Sequence, residues 1–296
     1  MMKNKKLYAA IGATVLICAA AAGFYFSSLA YRLNRLAAGK DCRVGAAVIA
    51  GSRTFVHGEG KYPLLSVFKL FIAVQVLDKL GRENTDPCKT ELTITRDMID
   101  ERTYSPMRDE RRTYPYGISV ARLLEYMVAE SDNNAADILL AYAGGAEQTQ
   151  AYLNRLGFGG IEVSVNEREM NADIAKQYVN RASPADVVRF LKTVREGDIL
   201  TPENRKFFDK IMTATVTGGD KLKAGLPQGT VFGHKTGSSS RTAEGIKIAD
   251  NDAGFVILSD GRTYYIAVMV SDSRMSDREN AALAAEISAV VYNRLR

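Results

Sequence analysis

The chain has 296 residues, of which 46% are hydrophobic, enough to bury the core of one large domain or two closely packed lobes. Its formal net charge is +5, but Lys3, Lys5 and Lys6 precede an apolar N-terminal run. Without these three, 36 basic residues face 34 acidic ones, which leaves +2. A nearly neutral domain has no electrostatic footprint for nucleic acid, so we expect no nucleic-acid partner.

The N-terminal segment is predicted to direct export. A basic start is followed by an apolar run from Leu7 to Phe26, which is typical of a signal peptide. Ala20-x-Ala22 and Ser28-Leu29-Ala30 are candidate cleavage motifs. Because the run approaches the length that spans a bilayer, an uncleaved anchor is the alternative. We assign residues 1–27 to a signal peptide or anchor and residues 28–296 to an exported, periplasmic domain that touches the membrane only if the segment is uncleaved.

Strands are predicted near both ends of the folded part. Five segments rich in small and β-branched residues lie between turn signals: Cys42–Ala50, Thr54–Val56, Val231–Lys235, Ala253–Leu258 and Arg262–Val270. Gly51-Ser52 and Asp260-Gly261 predict tight turns inside this set.

Helices are predicted between these strands and at the C terminus. Apolar residues recur at helical spacing in four segments: Val67–Leu80, Val120–Glu130, Asn134–Tyr142 and Ala146–Leu156. Ser183-Pro184 and Thr201-Pro202 each place a capping hydroxyl before a proline at the first helical position. Ser276 caps a last helix that runs to about Leu295.

This order predicts an α/β (α+β) fold. An antiparallel five-stranded sheet, built from about 28–63 and 216–296, would be flanked by the terminal helices. The segment of about 64–215 would form a large all-helical lobe. A functional site would lie in the cleft between the lobes.

Cysteines and histidines limit the chemistry. With Cys18 in the N-terminal segment, Cys42 and Cys88 could pair in an exported domain, and two free thiols are the open alternative. His57 and His234 are too few for a His-rich catalytic zinc site, and no Gly-x-Ser-x-Gly elbow is present. We expect no metal and no cofactor.

Ser66 and Lys69 place a hydroxyl and an amine three residues apart at the start of the first apolar helix. Residues i and i+3 share a helix face, and a buried lysine tends to lose its proton, so Lys69 could activate Ser66. Alone, the pair is a weak signal. Ser66 could cap the helix while Lys69 reaches solvent.

Three further motifs are also ambiguous when taken singly. They are Ser131-Asp132-Asn133, Glu167-x-x-x-Asn171 and Lys235-Thr236-Gly237. The first could be helix-capping material, the second a solvated loop and the third an ordinary strand end. With Ser66-x-x-Lys69, in this order, they resemble the class A serine β-lactamases over nearly the whole chain after the N-terminal segment. His234 before Lys235 is similar to a branch often linked to cephalosporin hydrolysis.

The resemblance implies an enzyme that hydrolyses the β-lactam ring of penicillins and cephalosporins and confers antibiotic resistance. Ser66 would attack the lactam carbonyl and form an acyl-enzyme. Lys69 or Glu167 would accept the serine proton, and Glu167 would activate the deacylating water. Ser131 would relay a proton to the lactam nitrogen.

The resemblance also implies a substrate-binding set and a partner. The amide N–H groups of Ser66 and Ser238 would form the oxyanion hole. The implied set is Tyr104 at the cleft entrance, Asn133 for the substrate amide, Asn171 for the water, and Lys235, Thr236, Gly237 and Ser238 around the substrate carboxylate. We expect a monomer that acts on small-molecule β-lactams.

Some family features are missing from the loop that carries Glu167. Val165 and Asn180 stand where an arginine and an aspartate usually clamp its neck, which predicts a looser loop and tolerance of bulky substrate side chains. Arg168 stands where proline is common, so no cis peptide is expected there.

Two further departures concern substrate choice. Leu65 and Ser239 are not cysteines, so the disulfide of carbapenem-hydrolysing relatives is absent and we expect no carbapenemase activity. The arginine that assists carboxylate binding has only weak candidates in Arg241 and Lys221.

Two other functions share this pattern. A penicillin-binding D,D-peptidase has the three motifs but no deacylating base, and Glu167 with Asn171 argues against it. A non-catalytic cell-wall sensor domain would have no need to keep Ser66, Lys69 and Lys235 together.

Overall fold

The computed structural model describes residues 29–296. The predicted signal peptide or anchor, residues 1–27, lies outside this range. The first described element is helix α1, seen over residues 29–37. Within residues 29–296, no helix is both long and apolar enough to cross a bilayer.

The central sheet confirms the predicted antiparallel arrangement. Its strands are β1 Arg43–Ala50, β2 Arg53–His57, β7 Val231–Ser238, β8 Lys247–Ile257 and β9 Thr263–Ser273. They are ordered β2-β1-β9-β8-β7 and every pair is antiparallel, so strands from the two chain ends meet where β1 pairs with β9.

The last three strands are longer than the sequence predicted. Strand β7 continues past its predicted end at Lys235 to Ser238, so Thr236 and Gly237 are still in the strand, close to its end, with Thr236 opposite Asp252 of β8. Polar residues such as Asp252 interrupt the apolar pattern of β8, so its first half was not predicted. They can lie inside the sheet because their side chains have hydrogen-bond partners there.

The helices that follow α1 are α2 Lys69–Arg82, α3 Pro106–Glu110, α4 Val120–Ala129, α5 Asn133–Tyr142, α6 Gly145–Arg155, α7 Glu167–Ala172, α8 Pro184–Glu196, α9 Pro202–Thr213 and α10 Asp277–Leu295. Seven of them begin close to their predicted positions, whereas the short helices α3 and α7 were not predicted and α7 lies where an irregular stretch was expected. The side chains of Ser183, Thr201 and Ser276 each accept a hydrogen bond from a backbone N–H three residues on, which confirms the three caps.

The inserted lobe is helical apart from short paired strands. Strand β4 (Glu91–Ile94) pairs with β5 (Tyr116–Ser119), a pairing the sequence analysis did not predict because each strand has only four residues. A second small pair, β3 (Tyr62–Pro63) and β6 (Arg181–Ala182), ties the lobe to the start of the chain.

Hydrophobic cores lie on both faces of the sheet. One contains Leu33, Ile266 and Leu283, so it joins α1 and α10 to β9. The other contains Phe255 of β8 and continues through α8 into the lobe, where the apolar side chains of α2 are buried. Helix α8 falls in the segment assigned to the helical lobe, yet it packs on β1 and β9. The lobes therefore meet along a shared core that fixes α2 against the sheet.

The two cysteines within residues 29–296 are not bonded to each other. Cys42 is partly buried and Cys88 is exposed, and both thiols are free. Of the two alternatives left open by the sequence, the structure has the free thiols. Burial raises the pKa of the Cys42 thiol.

Candidate active site

Ser66 lies in a 3₁₀ turn, Leu65–Phe68, directly before α2, so it is not the cap of that helix. The turn touches β7 closely. A β-carbon added at Gly237 would lie 2.4 Å from the carbonyl oxygen of Leu64 and 3.2 Å from the amide nitrogen of Ser66. Because only glycine permits this approach, Gly237 sets the separation between β7 and the Ser66 turn.

Lys69 is fully buried, so the alternative in which it reaches solvent is wrong. Its Nζ donates to Ser131 O at 2.7 Å and to Asn133 Oδ1 at 2.6 Å, and lies 3.0 Å from Glu167 Oε1. An ammonium group has three N–H donors, and here three acceptors surround it. The buried amine therefore has an acceptor for each N–H group it can donate.

Glu167 joins the loop to the Ser66 turn. Ser66 Oγ donates to Glu167 Oε1 at 3.2 Å, the same oxygen that faces Lys69. The carboxylate is 9% exposed, and burying it is costly unless a partner balances its charge. Lys69 provides that balance, and Ser66 is left with a carboxylate as its hydrogen-bond acceptor.

Ser131 connects the two buried lysines. It has a left-handed backbone, with φ at +62°, which is strained for a serine. Its carbonyl accepts from Lys69, while its hydroxyl accepts from Lys235 Nζ at 2.8 Å. Burial, together with the nearby charge of Lys69, holds the pKa of Lys235 well below its ordinary value. We call these five residues (Ser66, Lys69, Ser131, Glu167 and Lys235) the Ser66 cluster.

Of the predicted substrate-binding residues, Tyr104 and Asn133 lie beside this cluster. Tyr104 is 57% exposed, and its carbonyl accepts the amide N–H of Asn133 at 3.1 Å. Asn133 Nδ2 donates to Thr103 Oγ1 at 2.7 Å, which fixes the amide so that Oδ1 faces Lys69. Thr103 is a positioning residue that the sequence analysis missed.

Thr236, Ser238 and Asn171 are less closely tied to the cluster. The hydroxyl of Thr236 bonds that of Thr217 at 2.7 Å, and exposed Ser238 donates to Asp250 Oδ1 at 3.2 Å. Asn171 is exposed at the end of the turn that begins at Glu167, and its side chain makes no hydrogen bond within residues 29–296.

The segment 164–180, here called the Glu167 loop, is firmly anchored at its neck. Asn180 is fully buried; its Oδ1 accepts the amides of Ser164 and Val165, and its Nδ2 donates to Val165 O at 2.8 Å. The expectation of a loosely anchored loop is therefore wrong. The neutral side-chain amide of Asn180 closes the neck with three hydrogen bonds, in place of the ion pair that is absent from this chain. The only cis peptide among the described residues is Tyr114–Pro115, so the peptide after Glu167 is trans as expected.

Asp137, which was not predicted from the sequence, holds the part of the Glu167 loop that carries Glu167. Its two carboxylate oxygens accept the backbone N–H groups of Glu167 at 2.7 Å and Arg168 at 2.9 Å. Burial raises the pKa of Asp137 to about 6, although these hydrogen bonds oppose the rise. Asn133 and Asp137 are four residues apart on α5, and that spacing on one helix face was the available signal.

A second set of buried charges lies behind β7. His234 Nδ1 is 2.8 Å from Asp252 Oδ1, and Lys221 Nζ is 2.5 Å from Asp250 Oδ1. We call Lys221, His234, Asp250 and Asp252 the His234 cluster. Lys221 thus reaches Ser238 only through Asp250, while Arg241 pairs with Asp277.

The comparisons with known proteins agree with this geometry. The model of the β-lactamase enzyme family matches residues 28–295. The chain therefore belongs to the β-lactamase enzyme family, in its class A serine branch. Its activity is hydrolysis of the β-lactam ring, which makes it an antibiotic-resistance enzyme and excludes the sensor-domain alternative.

Three relatives illustrate the match. A β-lactamase of Bacteroides uniformis is 40% identical over 273 residues, covering 91% of this chain and 92% of that protein. The extended-spectrum β-lactamase PER-1 of Pseudomonas aeruginosa is 32% identical and covers 98% of this chain and 96% of its own. The crystal structure of a class A β-lactamase from Bacteroides cellulosilyticus superposes with a TM-score of 0.89 at 39% identity, covering 92% and 98%.

Proposed function

We propose that Ser66 is the nucleophile and that Glu167 accepts its proton during acylation as well as activating the deacylating water. One observation carries the first step: Ser66 Oγ already donates to Glu167 Oε1 at 3.2 Å. Lys69 was the other candidate, but its three donors face three acceptors, so it has no free lone pair in this arrangement. Its part is to balance the charge of Glu167.

The leaving nitrogen would receive its proton from Ser131. Lys235 donates to the hydroxyl of Ser131, so that hydroxyl can pass its own proton on while Lys235 stabilises the oxygen. The lowered pKa of Lys235 fits this role, because an ammonium group that holds its proton less tightly can more easily replace the proton that Ser131 gives away.

The substrate would bind along β7. Its carboxylate would lie among Lys235, Thr236 and Ser238, and its carbonyl oxygen would face the amides of Ser66 and Ser238. The close contact at Gly237 supports this, since it brings β7 against the Ser66 turn. Oxyanion donors of this kind lower a barrier by roughly 3 kcal/mol each. Asn133 and Tyr104 would contact the acyl side chain.

Penicillins and cephalosporins are the proposed substrates, without carbapenems. Because Asn180 closes the neck of the Glu167 loop, the loop is not loose and gives no support for tolerance of bulky substrate side chains. The relative PER-1 is named an extended-spectrum β-lactamase, which supports a broad range of β-lactam substrates. We also propose that residues 28–296 form one exported, periplasmic, monomeric catalytic domain.

The mechanism is tested by mass spectrometry of Glu167→Gln after mixing with benzylpenicillin. We expect the variant to accumulate an acyl group on Ser66, while the wild type turns substrate over. Deacylation of the variant at the wild-type rate would remove Glu167 from the second step. Stoichiometric trapping of penicillin by the wild type would instead support the D,D-peptidase alternative.

A further inference from the structure

A cavity of about 400 Å³ lies outside the proposed active site, between β4, α5 and the start of α7. Its walls are mainly apolar: Leu92 and Ile94 come from β4, and Ile138 and Ala141 from α5. This volume and lining are typical of sites for small organic molecules.

Two residues of opposite charge, Asp137 and Arg168, line the cavity, so their formal charges sum to zero. Asp137 accepts the backbone N–H groups of Glu167 and Arg168, so both of its oxygens are in use. Arg168 Nη2 spans the rim and donates to the carbonyls of Asp97 and Met98 at 3.3 Å. A ligand of either charge would lose its hydration and lie near one residue of like charge, whereas an uncharged ligand would not.

We propose that this cavity binds a small uncharged molecule with an apolar body, and that its occupancy slows deacylation. The first part is independent of the catalytic assignment, while the second rests on the proposed role of Glu167. Asp137 lines the cavity and also fixes the amide of Glu167. A ligand packed against Asp137 would restrict the backbone of Glu167 and hold its Oε1 on Ser66 and Lys69, and deacylation would slow because the carboxylate could move less freely toward the attacking water.

Binding is tested with octan-1-ol, octanoate and octylamine, which share one chain and differ in charge. Ligand-observed NMR should show saturable binding of octan-1-ol and much weaker binding of the two ions. Ala141→Phe fills the cavity and should abolish the signal, as should Thr93→Phe from the opposite wall. Ala151→Phe, an exposed site on α6, is the matched control and should leave it unchanged.

Binding that survives both cavity-filling variants, or equal binding of the ions, would overturn the proposed site. The coupling is tested by stopped-flow hydrolysis of benzylpenicillin with octan-1-ol at saturation. Coupled sites typically change an affinity by about fivefold or more, and we expect deacylation to slow by that factor with acylation unchanged. Saturable octan-1-ol binding with unchanged deacylation would overturn the coupling alone, because the acyl-enzyme experiment on Glu167→Gln tests the role of Glu167 separately.

Discussion

The Ser66 cluster and the His234 cluster are both buried sets of lysines and carboxylates, and both use β7. Side chains alternate along a strand, so Lys235 and His234 point to opposite faces of the sheet. Lys235 meets Ser131, whereas His234 meets Asp252. One strand therefore supplies a residue to each cluster, and the clusters lie close enough for Lys221 and Asp252 to influence the pKa of Lys235.

The clusters differ in what remains available to a ligand. In the His234 cluster, the groups pair with one another: Lys221 with Asp250, and Asp252 with both His234 and the amide of Leu222. In the Ser66 cluster, the Ser66 hydroxyl is partly exposed and bonded to a carboxylate. Buried charge alone thus does not indicate catalysis. A reactive atom with an acceptor behind it and solvent in front of it does.

The largest expected difference comes from removing one buried lysine from each cluster. Lys69→Met should lower kcat/KM by about a thousandfold, because the buried Glu167 carboxylate loses its counter-charge and an uncompensated buried charge typically costs about 4 kcal/mol. Lys221→Met should mainly destabilise the fold. Initial rates, normalised to the folded fraction from circular dichroism, separate the two. Equal losses of normalised activity in Lys69→Met and Lys221→Met would contradict the proposal that only the Ser66 cluster is catalytic.

Asp252→Asn should affect stability more than rate. It replaces a fully buried carboxylate that lies 2.8 Å from His234 Nδ1 and accepts the amide N–H of Leu222, and weakening the hydrogen bonds of a buried group typically costs about 2 kcal/mol. Urea unfolding measures this change in the free energy of unfolding. Asp260→Asn, in the exposed β8–β9 turn, is the control and should change it by less than about 0.5 kcal/mol. Similar values for both variants would mean that the His234 cluster does not support the fold.

Asn180→Ala tests whether the Ser66 cluster depends on its loop. Removing three hydrogen bonds that a buried amide makes should cost about 2 kcal/mol, felt mainly at the neck of the Glu167 loop. Hydrogen exchange should quicken in residues 164–180 and stay unchanged in β7. Asn293→Ala, an exposed substitution on α10, gives the baseline. Uniform quickening across both regions would contradict a local anchor.

Asp137→Asn should have the smallest effect on rate, with a distinctive pH dependence. An amide oxygen can accept one N–H well but not both, so we expect deacylation to slow by about tenfold, close to the loss of one modest hydrogen bond. Rapid-quench measurement of the acyl-enzyme gives this rate. A loss confined to acylation would contradict a role through Glu167.

The sign of the pH dependence follows from the raised pKa of Asp137. Burial moves this pKa from 3.8 to about 6, so between these values the folded protein holds a proton that the unfolded chain has lost. The contribution of Asp137 to the free energy of unfolding therefore falls as pH rises through this window. Asp137→Asn should remove that part of the slope in urea unfolding. An unchanged slope would mean that the carboxylate is not buried as described.

The sequence predicted most of the fold because its signals were local. The caps at Ser183, Thr201 and Ser276 and the turn at Asp260-Gly261 act within a few residues. The motif residues Ser66, Lys69, Ser131, Glu167 and Lys235 were also predicted together, through the resemblance. Periodicity did not predict β4 and β5, which are too short, or the full length of β8, where Asp252 interrupts the apolar run.

What the sequence could not predict depends on partners far along the chain. Asn180 was interpreted as the loss of the usual ion pair, because the residue type alone does not show that its side chain accepts hydrogen bonds from the backbone of Ser164 and Val165. The donors of Lys69 could be counted only once Ser131 and Asn133 were placed around it. Asp137 belongs to none of the motifs that carry the resemblance. Its role depends on a hydrogen bond from the backbone N–H of Glu167, which is 30 positions away.

The Ser66 cluster is also the last part of the molecule that a folding chain can complete. Ser66 and Glu167 are separated by 101 positions, and Ser131 and Lys235 by 104. Closing such long loops is paid for only when most of the domain has assembled. Turnover of a β-lactam is therefore a strict reporter of complete folding, and a partly folded or clipped chain should be silent in that assay even where its helices are native.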